Sequence, residues 1–307
     1  MGGLMVVVDS HCDTATTIAE GQSLFDSKGH WSLKRARKYS GFVQFFAAFV
    51  PPEETNPEQY CLTLLDGMEQ EIENNRDCIC KATCYETMQQ GLQDNKVVAF
   101  LTVEGGFGSD PAMVQTLYEK GVRCMSLSWN EDTPLCGGVL GTGKGVSELG
   151  RKVVREMNRL GMVIDVSHAS DQSFYDLAKM TEKPLLATHS NSRSICDHPR
   201  NLTDEQFQMI CEMDGMVGLN CYPLFLNQTK EADVTDLLRH IEHFLTLGGE
   251  KCIGFGADFD GIDFCMKDFN GIQDYEFLYE SLCRFYSENI VNAIFCENYL
   301  RFLKNYF

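Results

Sequence analysis

The sequence is short of positive charge. Only 26 of its 307 residues are Lys or Arg, against 44 Asp and Glu, for a formal net charge of −18. Phosphate binding needs clustered Lys and Arg, so this balance argues against nucleic acid as a partner. No run approaches the roughly 20 consecutive apolar residues of a membrane-spanning helix, so no membrane partner is expected. The N-terminus enters an apolar run with no basic segment ahead of it, which predicts no signal peptide and, without export, no disulfide framework. Repeats, low-complexity tracts and interdomain linkers are also missing. A single domain over 1–307 in the cytoplasm is the expectation.

What is present is an ordinary globular balance, 44% hydrophobic and 23% charged, with ample length for a large core. The 14 cysteines are scattered through apolar runs, as at Cys124, Cys211, Cys221 and Cys252. That pattern suits reduced, buried thiols acting as small hydrophobes. Asn201-Leu-Thr and Asn227-Gln-Thr then read as chance matches to a glycosylation acceptor.

Eight short apolar runs recur: "LMVVVDSH", "GFVQFFAAFV", "KVVAFLTVEGG", "GVRCMSLSWN", "GMVIDVSH", "KPLLATHS", "GMVGLNCYP" and "KCIGFGADFDG". Each is nearly continuous in apolar residues, as strands buried on both faces are. Helical patterns separate them. "GVSELGRKVVREMNRLG" starts at a Ser147 cap, carries Leu149, Val153, Val154, Met157 and Leu160 on one stripe, and stops at Gly161. "TDEQFQMICEMDG" behaves likewise after Thr203, as does "DVTDLLRHIEHFLTLGG", and residues 56–95 hold two helices. The C-terminal stretch reads as one or two more. Eight strands alternating with helices predict a (β/α)8 TIM-type barrel, with a doubly wound open sheet as the competitor.

In such a barrel the active site lies at the C-terminal strand ends. The first run ends in His11 and Asp13, which share a face of an extended chain. The third ends in Glu104, followed by Gly105-Gly106, which would let a backbone approach closely. The fifth ends in His168, the sixth in His189, and the eighth in Asp258 and Asp260. Three of only seven histidines thus fall on one rim. Imidazole with carboxylate suits zinc and similar divalent ions. Four or five ligands exceed what one catalytic zinc keeps, so two metals bridged by a carboxylate fit better, with Glu104 the most central candidate. His30, His240 and His243 are expected at the surface, and His198 lies in a loop near the rim. "GVLGTGKGV" nearly spells a phosphate loop, but Gly145 stands where Ser or Thr is required. "CICKATC", Cys78 to Cys84, has the wrong spacing for a metal site and reads as a solvated helix.

"DSHCD", "VEGG", "GRKVVREMNRLGMVIDVSH", "THSNSRSICDHPRNLTDEQ" and "GFGADFDG" together closely resemble the membrane (renal) dipeptidases and their bacterial homologues, and the similarity covers nearly the whole chain. The resemblance implies two zinc ions, one held by His11 and Asp13, the other by His168 and His189, with Glu104 bridging. It implies that Asp258 transfers the proton and that Arg200, in "HPRN", binds the terminal carboxylate of a dipeptide, with a D-residue tolerated on the C-terminal side. A hydroxide between two zinc ions is a nucleophile at neutral pH, because the cations lower the pKa of bound water. Homodimers are common in the family.

One position departs from the pattern. The family's fourth strand ends in a histidine that contacts the substrate and developing oxyanion; here Trp129, followed by Asn130, stands in its place. Indole donates one hydrogen bond and carries no charge, so the pair is expected to contact substrate differently. The region around Phe225 departs as well. The expected function is a binuclear zinc dipeptidase. A related metal-dependent amidohydrolase acting on another amide, lactam or lactone is the first alternative, and a catalytically silent metal- or peptide-binding barrel the second.

Overall fold

The computed structural model describes residues 5–107 and 109–307; Leu4, which opens the first apolar run, lies outside them. Nine strands occur among these residues: β1 (Val6–Cys12), β2 (Gly41–Phe49), β3 (Ile79–Lys81), β4 (Val97–Glu104), β5 (Val122–Ser126), β6 (Val163–Asp165), β7 (Leu186–Ala187), β8 (Met216–Leu219) and β9 (Ile253–Phe255). The order runs β2-β1-β9-β8-β7-β6-β5-β4, and a further β2–β4 pairing closes the ring. Every pairing is parallel, so the eight apolar runs form the staves of a (β/α)8 TIM-type barrel. Residues of β4 are buried throughout, as strands covered by helices outside and packed inside must be.

β3 is an addition to the expected set. "CICKATC" supplies this strand rather than a solvated helix, pairing from Ile79↔Val97 to Lys81↔Ala99. The physical reason is an open edge: β5 pairs with β4 only from Leu101 onward, leaving the start of β4 for the buried β-branched Ile79 to cover. Cys84 then caps the helix Tyr85–Gln93, which with Pro57–Asn74 makes the two helices expected between 56 and 95.

Helix Glu148–Leu160 forms as its signals dictate. Ser147 accepts from the Gly150 N–H, Val153, Val154 and Met157 are buried, and Gly161 ends the helix at φ 73°. At the C-terminus, helix Tyr275–Leu282 is followed by nearly continuous helix from Glu288 to Tyr306. Tyr299, Phe302 and Tyr306 join Val8, Phe45 and Phe100 in a second, smaller core. The Tyr299 hydroxyl donates to Ser10 Oγ at 2.5 Å and the Tyr306 hydroxyl to the Met162 carbonyl at 3.1 Å, so this helix stops the N-terminal end of the barrel and leaves the other mouth for chemistry. No helix among the described residues is long and apolar enough to cross a membrane.

The junction of β1 and β9 is unusual. The two strands share one ladder pair, Asp9↔Phe255. Beyond it the Asp258 N–H donates to the His11 carbonyl (3.2 Å) and the Asp13 N–H to the Phe259 carbonyl (2.9 Å). A side chain reinforces the seam: Asp9 Oδ1 accepts from the His11 N–H (3.0 Å) and the Ala257 N–H (3.2 Å), and Oδ2 from the Tyr275 hydroxyl (2.5 Å). Because the His11 N–H is spent on Asp9, it leaves the ladder, and the register against β2 shifts between Asp9 and Cys12.

Candidate metal centre and active site

Five strand ends deliver their polar residues to the open mouth of the barrel. His11 and Asp13 come from the end of β1, Glu104 is the last residue of β4, and His168, His189 and Asp258 follow β6, β7 and β9. All six side chains are buried. His168 and Asp258 each sit at φ 66° and Asp260 at φ 65°, a left-handed backbone that L-residues adopt at a cost and that clusters at functional sites.

Glu104 lies at the middle. Its Oε2 is 3.5 Å from His11 Nε2, while its Oε1 is 2.8 Å from His168 Nε2 and 3.5 Å from His189 Nε2. His11 Nε2 is 3.4 Å from Asp13 Oδ2 and 3.8 Å from Asp258 Oδ1. Two sets, His11 with Glu104 and His189, and His11 with Asp13 and Asp258, each bring their ligand atoms within 4.8 Å of one another.

The donor set tests whether a cation belongs here. His168 Nδ1 lies 2.8 Å from Asn130 Oδ1, an acceptor, so the ring carries its hydrogen on Nδ1 and presents a bare lone pair at Nε2. That lone pair sits 2.9 Å from His189 Nε2 as well as against Glu104. His11 Nε2, Asp13 Oδ1 and Glu104 Oε1 are buried with no hydrogen-bond partner among the described residues. Three carboxylates and three imidazoles packed this closely, with few hydrogen-bond donors among them, are costly to bury, and their mix of imidazole and carboxylate fits zinc or a similar divalent ion.

The electrostatics are those of a tight, desolvated cluster. Burial drives the pKa of His168 down to about 4, with Arg200 adding to it, and drives His189 well below its usual range. Burial likewise raises the Asp258 carboxyl to about 7, with Asp13 and Glu104 reinforcing the shift against the pull of His11. Asp258 Oδ2 accepts from Asn220 Nδ2 at 2.9 Å, which fixes the carboxyl plane.

Arg200 is buried beside this cluster. Its Nη2 donates to the His189 carbonyl at 3.2 Å, and its Nε has no partner among the described residues. The guanidinium stands 5.4 Å from the ring centroid of Phe225. Trp129 is half-buried, with ring centroids 5.9 Å from His168 and 5.2 Å from Phe49. With Val50, Pro51, Phe107 and Glu131 it lines a cavity of about 130 Å³. Asn130, expected to meet substrate, has its Oδ1 turned to His168.

Other expected features also fall differently. Gly105-Gly106 does admit a close backbone, but it is the protein's own: a Cβ on Gly106, at φ 56°, would lie 2.2 Å from the Leu127 carbonyl oxygen. His240 is fully buried rather than at the surface, because it shares the inner stripe of helix Val234–Thr246 with Leu237, Ile241 and Phe244. His30 is half-buried at the rim, where its Nδ1 accepts from the Asp260 N–H at 2.9 Å, and His243 is half-buried, 2.8 Å from Asp204. His198 packs against Phe225 with the two rings tilted by 43° and centroids 4.6 Å apart, outside the candidate ligand cluster. The "GVLGTGKGV" loop packs onto the His168 segment, Val139 N–H donating to the His168 carbonyl at 2.8 Å. Asn201, of the first glycosylation match, is buried. Asn220, Asp165 and Thr188 carry no signal of their own in the sequence; each stands at or near a strand end, the same position as the candidate ligands. An open groove of about 580 Å³ between Ile195, Leu238 and Phe285 shares no residue with the cluster.

Comparison with known proteins agrees with this geometry. The family model described as membrane dipeptidase (peptidase family M19) matches residues 3–306. An uncharacterized Klebsiella pneumoniae protein from the pqqA 5′ region is 34% identical over 221 residues, covering 68% of this chain and 81% of that one. Among solved structures, a dipeptidase AC of family M19 is similar at 26% identity and TM-score 0.91, with 98% of each chain covered. A Rhodobacter sphaeroides metallopeptidase, solved with a phosphinate mimic of the dipeptide L-Ala-D-Ala, superposes at TM-score 0.91 and 24% identity, covering 99% of this chain and 100% of that one.

Proposed function

The chain belongs to the membrane dipeptidase family, a family of metal-dependent peptide-bond hydrolases, and from that membership we propose that it is a binuclear zinc dipeptidase acting on free dipeptides, including those with a C-terminal D-residue. Glu104 carries this reading: one carboxylate faces His11 through one oxygen and His168 and His189 through the other, the arrangement a bridging ligand requires. His11 and Asp13 would hold one zinc, His168 and His189 the other. When bound, the metals lower the pKa of water and polarise the scissile carbonyl.

The remaining work falls to this chain's own groups. Asp258, held by Asn220 beside the proposed metals, takes a proton from the attacking water and returns it to the leaving amine. Arg200 supports recognition of the substrate carboxylate. Its unpartnered Nε and its planar fork offer two parallel donors in a desolvated place, and a carboxylate would complete them. This contact explains a limit to very short substrates, since the α-carboxylate then sits close to the scissile bond. Trp129 supplies an apolar wall and one N–H donor. Asn130 orients His168 through its Oδ1, and its amide N–H groups remain for substrate. Tolerance of a D-residue is supported by the mimic bound to the similar R. sphaeroides enzyme.

The test is a panel of L,L- and L,D-dipeptides, with metal content measured on the same sample. Two zinc equivalents and hydrolysis that stops with chelator and returns with zinc are expected. Metal-replete protein that leaves every dipeptide intact would refute the proposal and favour another amide or lactone substrate.

A further inference from the structure

The inner face of β6 and β7 holds a hydrogen-bonded chain that the proposed reaction does not use directly. Asp165, Ser167, Thr188 and His189 are all buried. Asp165 Oδ1 accepts from two backbone donors, the Ser167 N–H at 2.8 Å and the Thr188 N–H at 3.0 Å. Its Oδ2 lies 2.5 Å from Thr188 Oγ1, and Thr188 Oγ1 lies 2.8 Å from His189 Nδ1. Building on the metal-centre reading above, we propose that Thr188, held by Asp165, is a positioning residue that fixes His189 in its Nδ1–H tautomer and thereby sets the affinity of the metal His189 holds.

The direction of the chain follows from counting donors. A carboxylate only accepts, so the Thr188 hydroxyl hydrogen points to Asp165. Ser167 Oγ already accepts from the His189 N–H at 3.1 Å, which frees its own hydrogen for Thr188 Oγ1 at 3.2 Å. Thr188 oxygen then has one lone pair left, and the only group facing it among the described residues is His189 Nδ1. That nitrogen must donate. With its hydrogen on Nδ1, His189 turns a bare Nε2 toward Glu104 and His168. The opposite direction would place a hydrogen on Nε2, inside the cluster, and remove a ligand. Asn130 does the same for His168 by the simpler means of an amide oxygen. Partners of this kind are typically worth about 10- to 100-fold in metal affinity.

Asp165→Asn separates tautomer control from packing. An asparagine oxygen still serves the two backbone N–H groups, while its amide donates to Thr188 and turns the chain round. Zinc affinities of wild type, Asp165→Asn, Thr188→Val and Thr188→Ser are measured by competition with a chromophoric chelator, alongside metal-free melting temperatures. Asp165→Asn and Thr188→Val are expected to weaken one of two zinc equivalents by about 10- to 100-fold and spare the other, with Thr188→Ser close to wild type. In the metal-free proteins, long-range ¹⁵N–¹H spectra of the histidine rings should show His189 as Nδ1–H in wild type and Nε2–H in Asp165→Asn. Wild-type affinity for both equivalents in Asp165→Asn overturns the proposal. So does a Thr188→Ser variant as weak as Thr188→Val, or losses that merely track melting temperature. Wild type that takes up no zinc would instead defeat the metal-centre reading itself.

Discussion

Lowering the pH should unfold this protein partly through one histidine far from its chemistry. His240 is fully buried in helix Val234–Thr246. Its Nδ1 accepts from the Ser192 N–H at 3.1 Å, so Nε2 carries the hydrogen and donates to the Leu226 carbonyl at 3.0 Å. A second proton would have to enter at Nδ1, breaking the Ser192 contact and placing a charge in the core. Burial accordingly lowers the His240 pKa from 6.5 to about 4. Between those values the unfolded chain binds more protons than the folded one, so stability falls as pH falls. The contribution is complete above about 6.5 and largely lost at about 4; the gap of roughly 2.5 units corresponds to about 3 kcal/mol. Urea denaturation of wild type and His240→Gln in chelator, from pH 7 to pH 4, isolates it, because the other groups titrate in both. The stability advantage of wild type should shrink by about 3 kcal/mol across that range. A difference constant to within about 0.5 kcal/mol would show that His240 titrates normally in the fold and would refute the reasoning.

The active site yields three further expectations. Glu104→Ala should lose most bound zinc, and wild-type metal content on elemental analysis would rule out the bridging role. Arg200→Ala should raise KM for free dipeptides by about 100-fold, the equivalent of roughly 3 kcal/mol for a charge-assisted pair, while barely affecting C-terminally amidated ones. Equal effects on both substrates would remove Arg200 from carboxylate recognition. Asp258→Asn should keep its metal yet lose about 10²- to 10⁴-fold in kcat, and an unchanged kcat would assign proton transfer elsewhere.

The barrel and its rim were legible because of one abrupt pattern: an apolar run that stops at a side chain of metal-ligand type. "VVVDSH", "LTVEGG" and "VIDVSH" each pair a doubly buried strand with a polar end, and parallel topology carries all those ends to one mouth. What the sequence left unmarked depends on which groups the fold brings together, near or far along the chain. β3 exists because β5 leaves the start of β4 open, and nothing inside "CICKATC" reports that vacancy. The burial of His240 follows from its helical spacing with Leu237, Ile241 and Phe244, but the isolated residue type suggests a surface. Gly105-Gly106 correctly signals a close approach without saying that Leu127, and not a ligand, makes it. Asn130 and Thr188 act through the far nitrogens of two histidines, a contact 38 residues away in one case and next door in the other. Hydrogen-bond direction is invisible to composition and periodicity alike.

The Asp9 clasp between β1 and β9 has a consequence for biosynthesis. These strands are the first and last staves, and they meet through a single ladder pair, two backbone hydrogen bonds just past it, and the Asp9 carboxylate with Tyr275. Loop-closure entropy makes so distant a contact a late event. A nascent chain that has exposed His11, Glu104, His168 and His189 but not yet Asp258 and Tyr275 has nothing to draw the seam shut. On the proposed reading, the candidate metal centre therefore matures only once β9 and Tyr275 have left the ribosome, and fragments ending before β9 are expected to bind zinc more weakly than chains that include both.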